Sequence, residues 1–312
     1  MGRKFSPPRV WPPYSDILVM RLDPNGNLVW EKVIDANYND AGYSVQQTSD
    51  GGFIVAGTAT SNVYDPAIPH DSNAVVIKLN GNGDPVWFQT YGNFGARYYD
   101  GVFSIQQTRD GGYIVAGYSY ISVPCPKNQP NCPEKRNDYD AWILKLDWGG
   151  TQVWSKTFDG GKKGNDTARS IQELSWGGYI VAGAIGGDTT GDIKPETRDI
   201  WVFQLDASGN KNWDKFFAGP SYEPDEETYE DMAYSVKQTS DFGYVVAGKM
   251  GSQIEYYGKW IPESDFWVIR LDSAGEMLWN KTYGGVWDDV AYSIQRTADG
   301  KYIVAGNTGS FG

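Results

Sequence analysis

The chain has 312 residues, 15% of them aromatic, with 38 glycines, 13 tryptophans and a formal net charge of −12. So much apolar and aromatic content excludes a disordered chain, and no apolar run is long enough for a membrane-spanning helix. The negative charge argues against nucleic acid or an anionic bilayer as partner and favours neutral, cationic or metal partners.

Residues 1–15 are an N-terminal extension without the apolar stretch of a signal peptide, which fits an intracellular protein or one whose leader has been removed. The first predicted strand is DILVMRLD (16–23), followed by a Gly-containing turn and a short segment carrying Trp30. YSVQQT (43–48) then runs into TSDGGFIVAG (48–57), NAVVIKLN (73–80) and a segment with Trp87. The same series returns as FSIQQT (103–108), TRDGGYIVAG (108–117), DAWILKLD (140–147) and Trp154. RSIQEL (169–174), LSWGGYIVAG (174–183), DIWVFQLD (199–206) and Trp213 make the next round, and YSVKQT (234–239), TSDFGYVVAG (239–248), DFWVIRLD (265–272) and Trp279 the one after. The chain finishes on YSIQRT (292–297) and TADGKYIVAG (297–306).

Each round reads as four short antiparallel strands a, b, c and d, with Gly turns between a and b and between c and d. A four-stranded meander recurring every 57 to 67 residues is the signature of a propeller blade. The chain begins with c and d and ends with a and b, so the expected fold is an all-β, five-bladed β-propeller. Its two terminal half-blades would close the ring two-plus-two. The expected blades are 16–33 with 290–307, 42–91, 101–157, 168–216 and 232–283, all in one domain over 16–312. The five tryptophans are expected to fill space between adjacent blades.

The unit SIxxTxDGGYIVAG…DxWVxKLDxxGxxxW resembles the β-propeller repeats of secreted and surface proteins of bacteria and archaea, over nearly the whole chain from Asp16 to Gly306. That resemblance implies the fold and an extracellular setting, but no activity. The LDxxGxxxW portion is also similar to the tryptophan-docking repeat of quinoprotein propellers, and nothing else in the chain matches a quinone site.

Cys125 and Cys132, in the Pro-rich stretch PCPKNQPNCP, are expected to form a local disulfide. Closing a loop of roughly 8 residues contributes about 2.5 kcal/mol in the chain-entropy model, and such a bond favours an oxidising compartment. The only histidine, His70, lies in another connection, which leaves no zinc set and no Ser/His or Cys/His nucleophile system.

The hairpin turns are stereotyped, whereas the b–c and d–a connections vary and lengthen, so binding is expected on their side. Just before strand a stand Asp40, Asp100, Asp166, Asp231 and Asp289. These acids suit a carboxylate ring for Ca²⁺, or acceptors for backbone N–H groups in their own crossovers; their presence in every blade favours the second. Asp16, Asn73, Asp140, Asp199 and Asp265, which open strand c, read as turn caps. The acidic stretch SYEPDEETYED (221–231) reads as a solvated loop, and GGDTTGD (186–192) lacks the spacing of a calcium loop.

Tyr99, Tyr120, Tyr222, Tyr229, Tyr257, Trp260 and Trp287 fall in or beside the variable connections and are candidates for stacking on sugars. Five-bladed propellers include arabinanase- and invertase-type glycosidases, but their acids stand in non-repeating contexts. The expectation is therefore a non-catalytic secreted or cell-surface propeller that binds a glycan or a protein partner. The alternatives are a glycoside hydrolase or lyase working through acids such as Asp100, Asp166 and Asp231, and a structural subunit of a surface layer or filament.

Overall fold

The computed structural model describes residues 15–60, 71–92, 99–124, 135–161, 164–186, 198–219, 230–256 and 259–310, and these residues are all-β. Cys125 and Cys132 lie outside them. The chain divides into two compact units, Met1–Gly101 and Val102–Gly312.

In the first unit, β1 (Ile17–Leu22) and β2 (Leu28–Ile34) form a two-stranded sheet. β3 (Asn39–Gln47), β4 (Phe53–Thr60), β5 (Ser72–Leu79) and β6 (Pro85–Tyr91) form a four-stranded antiparallel meander. The second unit holds three more such meanders. The first is β7 (Gly101–Gln107), which opens at the junction, with β8 (Tyr113–Pro124), β9 (Lys135–Leu146) and β10 (Gln152–Phe158). The second is β11 (Thr167–Glu173), β12 (Tyr179–Ile185), β13 (Asp199–Leu205) and β14 (Lys211–Phe217). The third is β15 (Met232–Gln238), β16 (Tyr244–Tyr256), β17 (Lys259–Leu271) and β18 (Met277–Tyr283). β19 (Asp289–Arg296) and β20 (Tyr302–Thr308) close the chain as a second two-stranded sheet.

The repeated sheet is therefore propeller-like, and the strand boundaries follow the a–b–c–d reading. Among the described residues, β1–β2 and β19–β20 are each a two-stranded sheet held by its own hairpin.

The two middle strands of each complete meander carry the apolar runs and are buried on both faces: Val75, Val76 and Ile77 of β5, and Ile200, Trp201, Val202 and Phe203 of β13. Cores lie between successive sheets of the second unit. One joins Ile114 and Ile143 to Val181 and Phe203; the next joins Ile180 and Val202 to Val246 and Ile269. In the first unit Ile17 and Val19 of β1 pack on Val55, Val75 and Ile77.

Two devices join successive sheets within a unit. The first explains the tryptophans. Trp154 of β10 packs edge-on against Tyr179 of the following sheet, with ring centroids 6.1 Å apart, and Trp213 of β14 packs on Tyr244 at 5.8 Å. Each indole also covers the next c–d turn so closely that a Cβ on Gly209 would lie 2.9 Å from Trp154, and one on Gly275 2.7 Å from Trp213. Those glycines have φ of +76° and +82°, so the turn needs glycine for conformation and for space. Within the first unit Trp30 makes the same contact with Gly83.

The second device explains the Ser and Gln of the a strands. Ser170 Oγ accepts the N–H of Val236 at 3.1 Å, and Ser235 Oγ that of Ile294 at 3.3 Å. Gln106 and Gln172 accept the N–H groups of Glu173 and Gln238, each at 2.7 Å. Side chains thus supply acceptors between neighbouring a strands that are not hydrogen-bonded as a sheet.

Candidate functional site

The five acids are buried, Asp100, Asp166 and Asp231 just before their a strands and Asp40 and Asp289 within the first residues of theirs, and in two sheets both oxygens are engaged. Asp166 accepts the N–H of Gly160, just after β10, at 2.7 Å and that of Gly186, just after β12, at 2.9 Å. Asp231 accepts from Gly219, after β14, and from Gly251 in β16. Each carboxylate thus ties the end of one sheet to the second strand of the next. The backbone N–H of each aspartate makes the same tie, donating to Tyr139 from Asp166 and to Arg198 from Asp231.

Burial pushes the Asp166 carboxyl up to about 7 and that of Asp231 to about 6, against the opposing effect of the bound N–H groups. Burial also pulls Asp289 upward, but donors from Thr308, Ser310 and Gly285 outweigh it and hold it low. Asp100 is fully buried, its carboxylate against Gly92. Asp40 is buried too: Oδ2 accepts from Ala36 at 2.6 Å and Asn37 at 2.9 Å, and Oδ1 has no hydrogen-bond partner.

The aromatic candidates are only partly in view. Tyr222, Tyr229 and Tyr257 lie outside the described residues. Tyr99 sits in an isolated bridge opposite Ser72, and Trp260 stands opposite Glu255 in β17. Trp287 is exposed, and its backbone N–H donates to Ser310 Oγ at 3.0 Å. Tyr120 stacks edge-on against Tyr139 at 5.6 Å.

From Tyr139 a continuous line of rings runs on through Tyr118, an aromatic of the variable connections, into residues that the sequence reading passed over. Tyr139 meets Tyr118 at 5.4 Å and Tyr118 meets Phe103 at 5.4 Å. The Arg169 guanidinium lies 3.8 Å above the Phe103 ring and 5.8 Å from the Tyr234 ring, and Tyr234 meets Tyr292 at 5.0 Å. Arg169, Tyr234 and Tyr292 are each the extra residue of a β-bulge in their a strand, and Phe103 holds the same place in its repeat. A bulge re-aims one side chain out of the pleat, which sets these groups apart from the ladder. The signal in the sequence was the residue before Ser in FSIQ, RSIQ, YSVK and YSIQ: a column of aromatic residues broken by one arginine.

A second aromatic contact lies on the turn side of the sheets. Trp176 and Phe242, which replace Asp and Gly in their a–b turns, meet each other at 5.5 Å. Two departures that look like independent drift are one contact.

No protein-family model matches the chain, and no curated protein matches it. Among solved structures, it is similar to a protein of unknown function from Bacteroides caccae (12% identity, 86% of this chain and 94% of that one, TM-score 0.32). It is also similar to a mannose phosphorylase from Leishmania mexicana in complex with phosphate ion (12%, 86% and 81%, TM-score 0.40). A third is an exo-1,5-α-L-arabinanase from a bovine ruminal metagenomic library (9%, 86% and 78%, TM-score 0.32). At these identities and TM-scores no activity follows for this chain.

Proposed function

We propose that the chain is a non-catalytic, secreted or cell-surface five-bladed propeller that binds glycans along the line of rings through Tyr120, Tyr139, Tyr118, Phe103, Tyr234 and Tyr292. The observation that carries the reading is this continuous aromatic run with a cation in it, beside carboxylates whose oxygens are occupied by backbone donors. Flat rings take the C–H faces of sugars, and phenol hydroxyls and a guanidinium take their polar edges. A protein partner docking on the same side is the companion outcome. A glycoside hydrolase draws its support from Asp166, held near neutrality by burial as a general acid would be. Against that, both oxygens of Asp166 are already bonded to the main chain. A glycan array run beside a panel of chromogenic glycosides tests the reading. Glycan binding lost in Tyr118→Ala and Phe103→Ala, without turnover, is expected; turnover abolished by Asp166→Asn would reverse it.

Closure of the ring belongs to the same proposal and is supported by what the two ends leave unmatched. Leu79, Leu146, Leu205 and Leu271 are fully buried, yet Leu22 at the same place in β1 is 54% exposed. Ile54, Ile114 and Ile180 are fully buried, while Ile303 in β20 is 62% exposed. Trp279 is exposed and Gly26, in the β1–β2 turn, has nothing near its Cβ position. The register of β4 with β5 and of β12 with β13 carries over to β20 and β1 as Tyr302 opposite Leu22 and Val304 opposite Met20. A Met20→Cys, Val304→Cys double variant is expected to form its disulfide within one chain. Disulfide-linked ladders of copies would instead favour the structural-subunit reading.

A further inference from the structure

Three acids of the first unit stand apart from their counterparts elsewhere. Asp16, Asp35 and Asp40 each place a carboxylate oxygen within 4.8 Å of the other two. Asp16 precedes β1, Asp35 follows β2, and Asp40 lies in β3, so one hairpin and one strand bring them together. Asp40 is only 2% exposed, and its Oδ1 is buried without a hydrogen-bond partner. A buried anionic oxygen without a donor costs free energy that a ligand can recover.

The repeat supplies an internal comparison. The same three places are Asp140, Asp159 and Asp166 two repeats on, but there neither oxygen of the buried acid is spare. Asp166 takes Gly160 and Gly186, and Asp159 takes the N–H of Gly161 at 2.7 Å. In the remaining repeats the middle acid is replaced by Gly92, Ala218 or Gly284, so Asp289, whose Oδ1 is also buried without a hydrogen-bond partner, has no third acid of this kind beside it. The difference at Asp40 has a visible cause. β3 starts at Asn39 and β4 runs on to Thr60, so Asp40 is paired with Ala59 inside the ladder. Thr60, which stands where Gly186 donates to Asp166, is itself paired with Asn39 and Ser72.

We propose that Asp16, Asp35 and Asp40 bind one hard divalent cation, with Ca²⁺ as the best fit. The donors are all carboxylate oxygens, which selects a hard ion over zinc or copper. Ca²⁺–oxygen bonds of about 2.4 Å let ligand atoms on one ion lie up to about 4.8 Å apart, so all three acids reach a common centre. Asp16 and Asp35 are exposed, which leaves the remaining coordination positions to water. That open geometry suits Ca²⁺ better than Mg²⁺, which demands a regular octahedron, and places the affinity in the weak range of about 10⁻⁴ to 10⁻³ M. Among the described residues, this is the one repeat whose acids come close enough together to share an ion.

Calorimetric titration of the full chain with CaCl₂ tests this. One site is expected, weakened at least about ten-fold in Asp35→Asn and in Asp16→Asn, two exposed positions whose change leaves the hydrogen bonds of Asp40 in place. Asp159→Asn, the same change two repeats on, is expected to leave binding as it was. Absence of binding up to about 10 mM Ca²⁺ would overturn the proposal. So would equal weakening by Asp159→Asn and Asp35→Asn, since the effect would then be one of general charge.

Discussion

Lys145 of β9 extends its buried side chain to the turn between β7 and β8 and meets Asp110 at 2.9 Å, while also donating to Thr108 Oγ1 at 3.0 Å. Lys78 makes the same contact with Asp50, and Arg270 with Asp241. Where the turn acid is replaced by Trp176, the basic residue is replaced as well: Gln204 stands there and donates to Tyr244 Oη at 2.8 Å. The Asp of the repeated DGG turn and the basic residue of the c strand are thus one feature written in two places. Lys145→Met is expected to lower the unfolding free energy by about 2 kcal/mol, through loss of charged hydrogen bonds to groups left behind. An unchanged denaturant midpoint would refute the assignment.

Lys237 stands where Gln106 and Gln172 accept a backbone N–H from the neighbouring a strand. An ammonium cannot accept that bond, and burial lowers its basicity. Lys237→Gln is expected to restore the rung and raise stability by about 1 kcal/mol, read as a higher Tm.

Stability should fall as pH rises towards neutrality. Burial holds Asp166 at about 7 and Asp231 at about 6, above the 3.8 of an ordinary aspartate. In that window the folded chain keeps protons that the unfolded chain has released, so the stabilisation is full below about 3.8 and lost as pH rises through the folded values. Unfolding free energies measured from about pH 4.5 to about 7.5 should decline, and Asp166→Asn should flatten the decline. A rise over the same range, unaltered by the substitution, would count against it.

Glycine substitutions report on the ends. Gly51→Ala meets no neighbour and carries only the strain of φ +79°, about 1–2 kcal/mol. Gly209→Ala adds a collision with Trp154 and is expected to cost about 3 kcal/mol. If Trp279 covers Gly26 in a closed ring, Gly26→Ala follows Gly209→Ala; a cost no larger than that of Gly51→Ala would mean the ends stay apart.

The meanders were legible because period-two alternation and Gly turns act locally, and five copies average out exceptions such as Phe242 in a left-handed turn position. The aspartates before the a strands were legible as positions, while their donors were not: Gly160 and Gly186 are distant from one another in sequence and donate through main chain, which carries no residue signature. The run from Phe103 through Arg169 to Tyr292 was missed because it depends on bulges, whose one-residue register slip leaves no mark in an alternating pattern. Asp35 was passed over because it looks like any acid after a strand; only its place beside Asp16 and Asp40 in the folded chain sets it apart.

Trp30, Trp154 and Trp213 each find their glycine not in their own repeat but in the following one. What a unit offers downstream is what it accepts upstream, so a gene segment encoding one whole unit could be duplicated or excised without stranding any joint. The pair at each such joint must therefore change together.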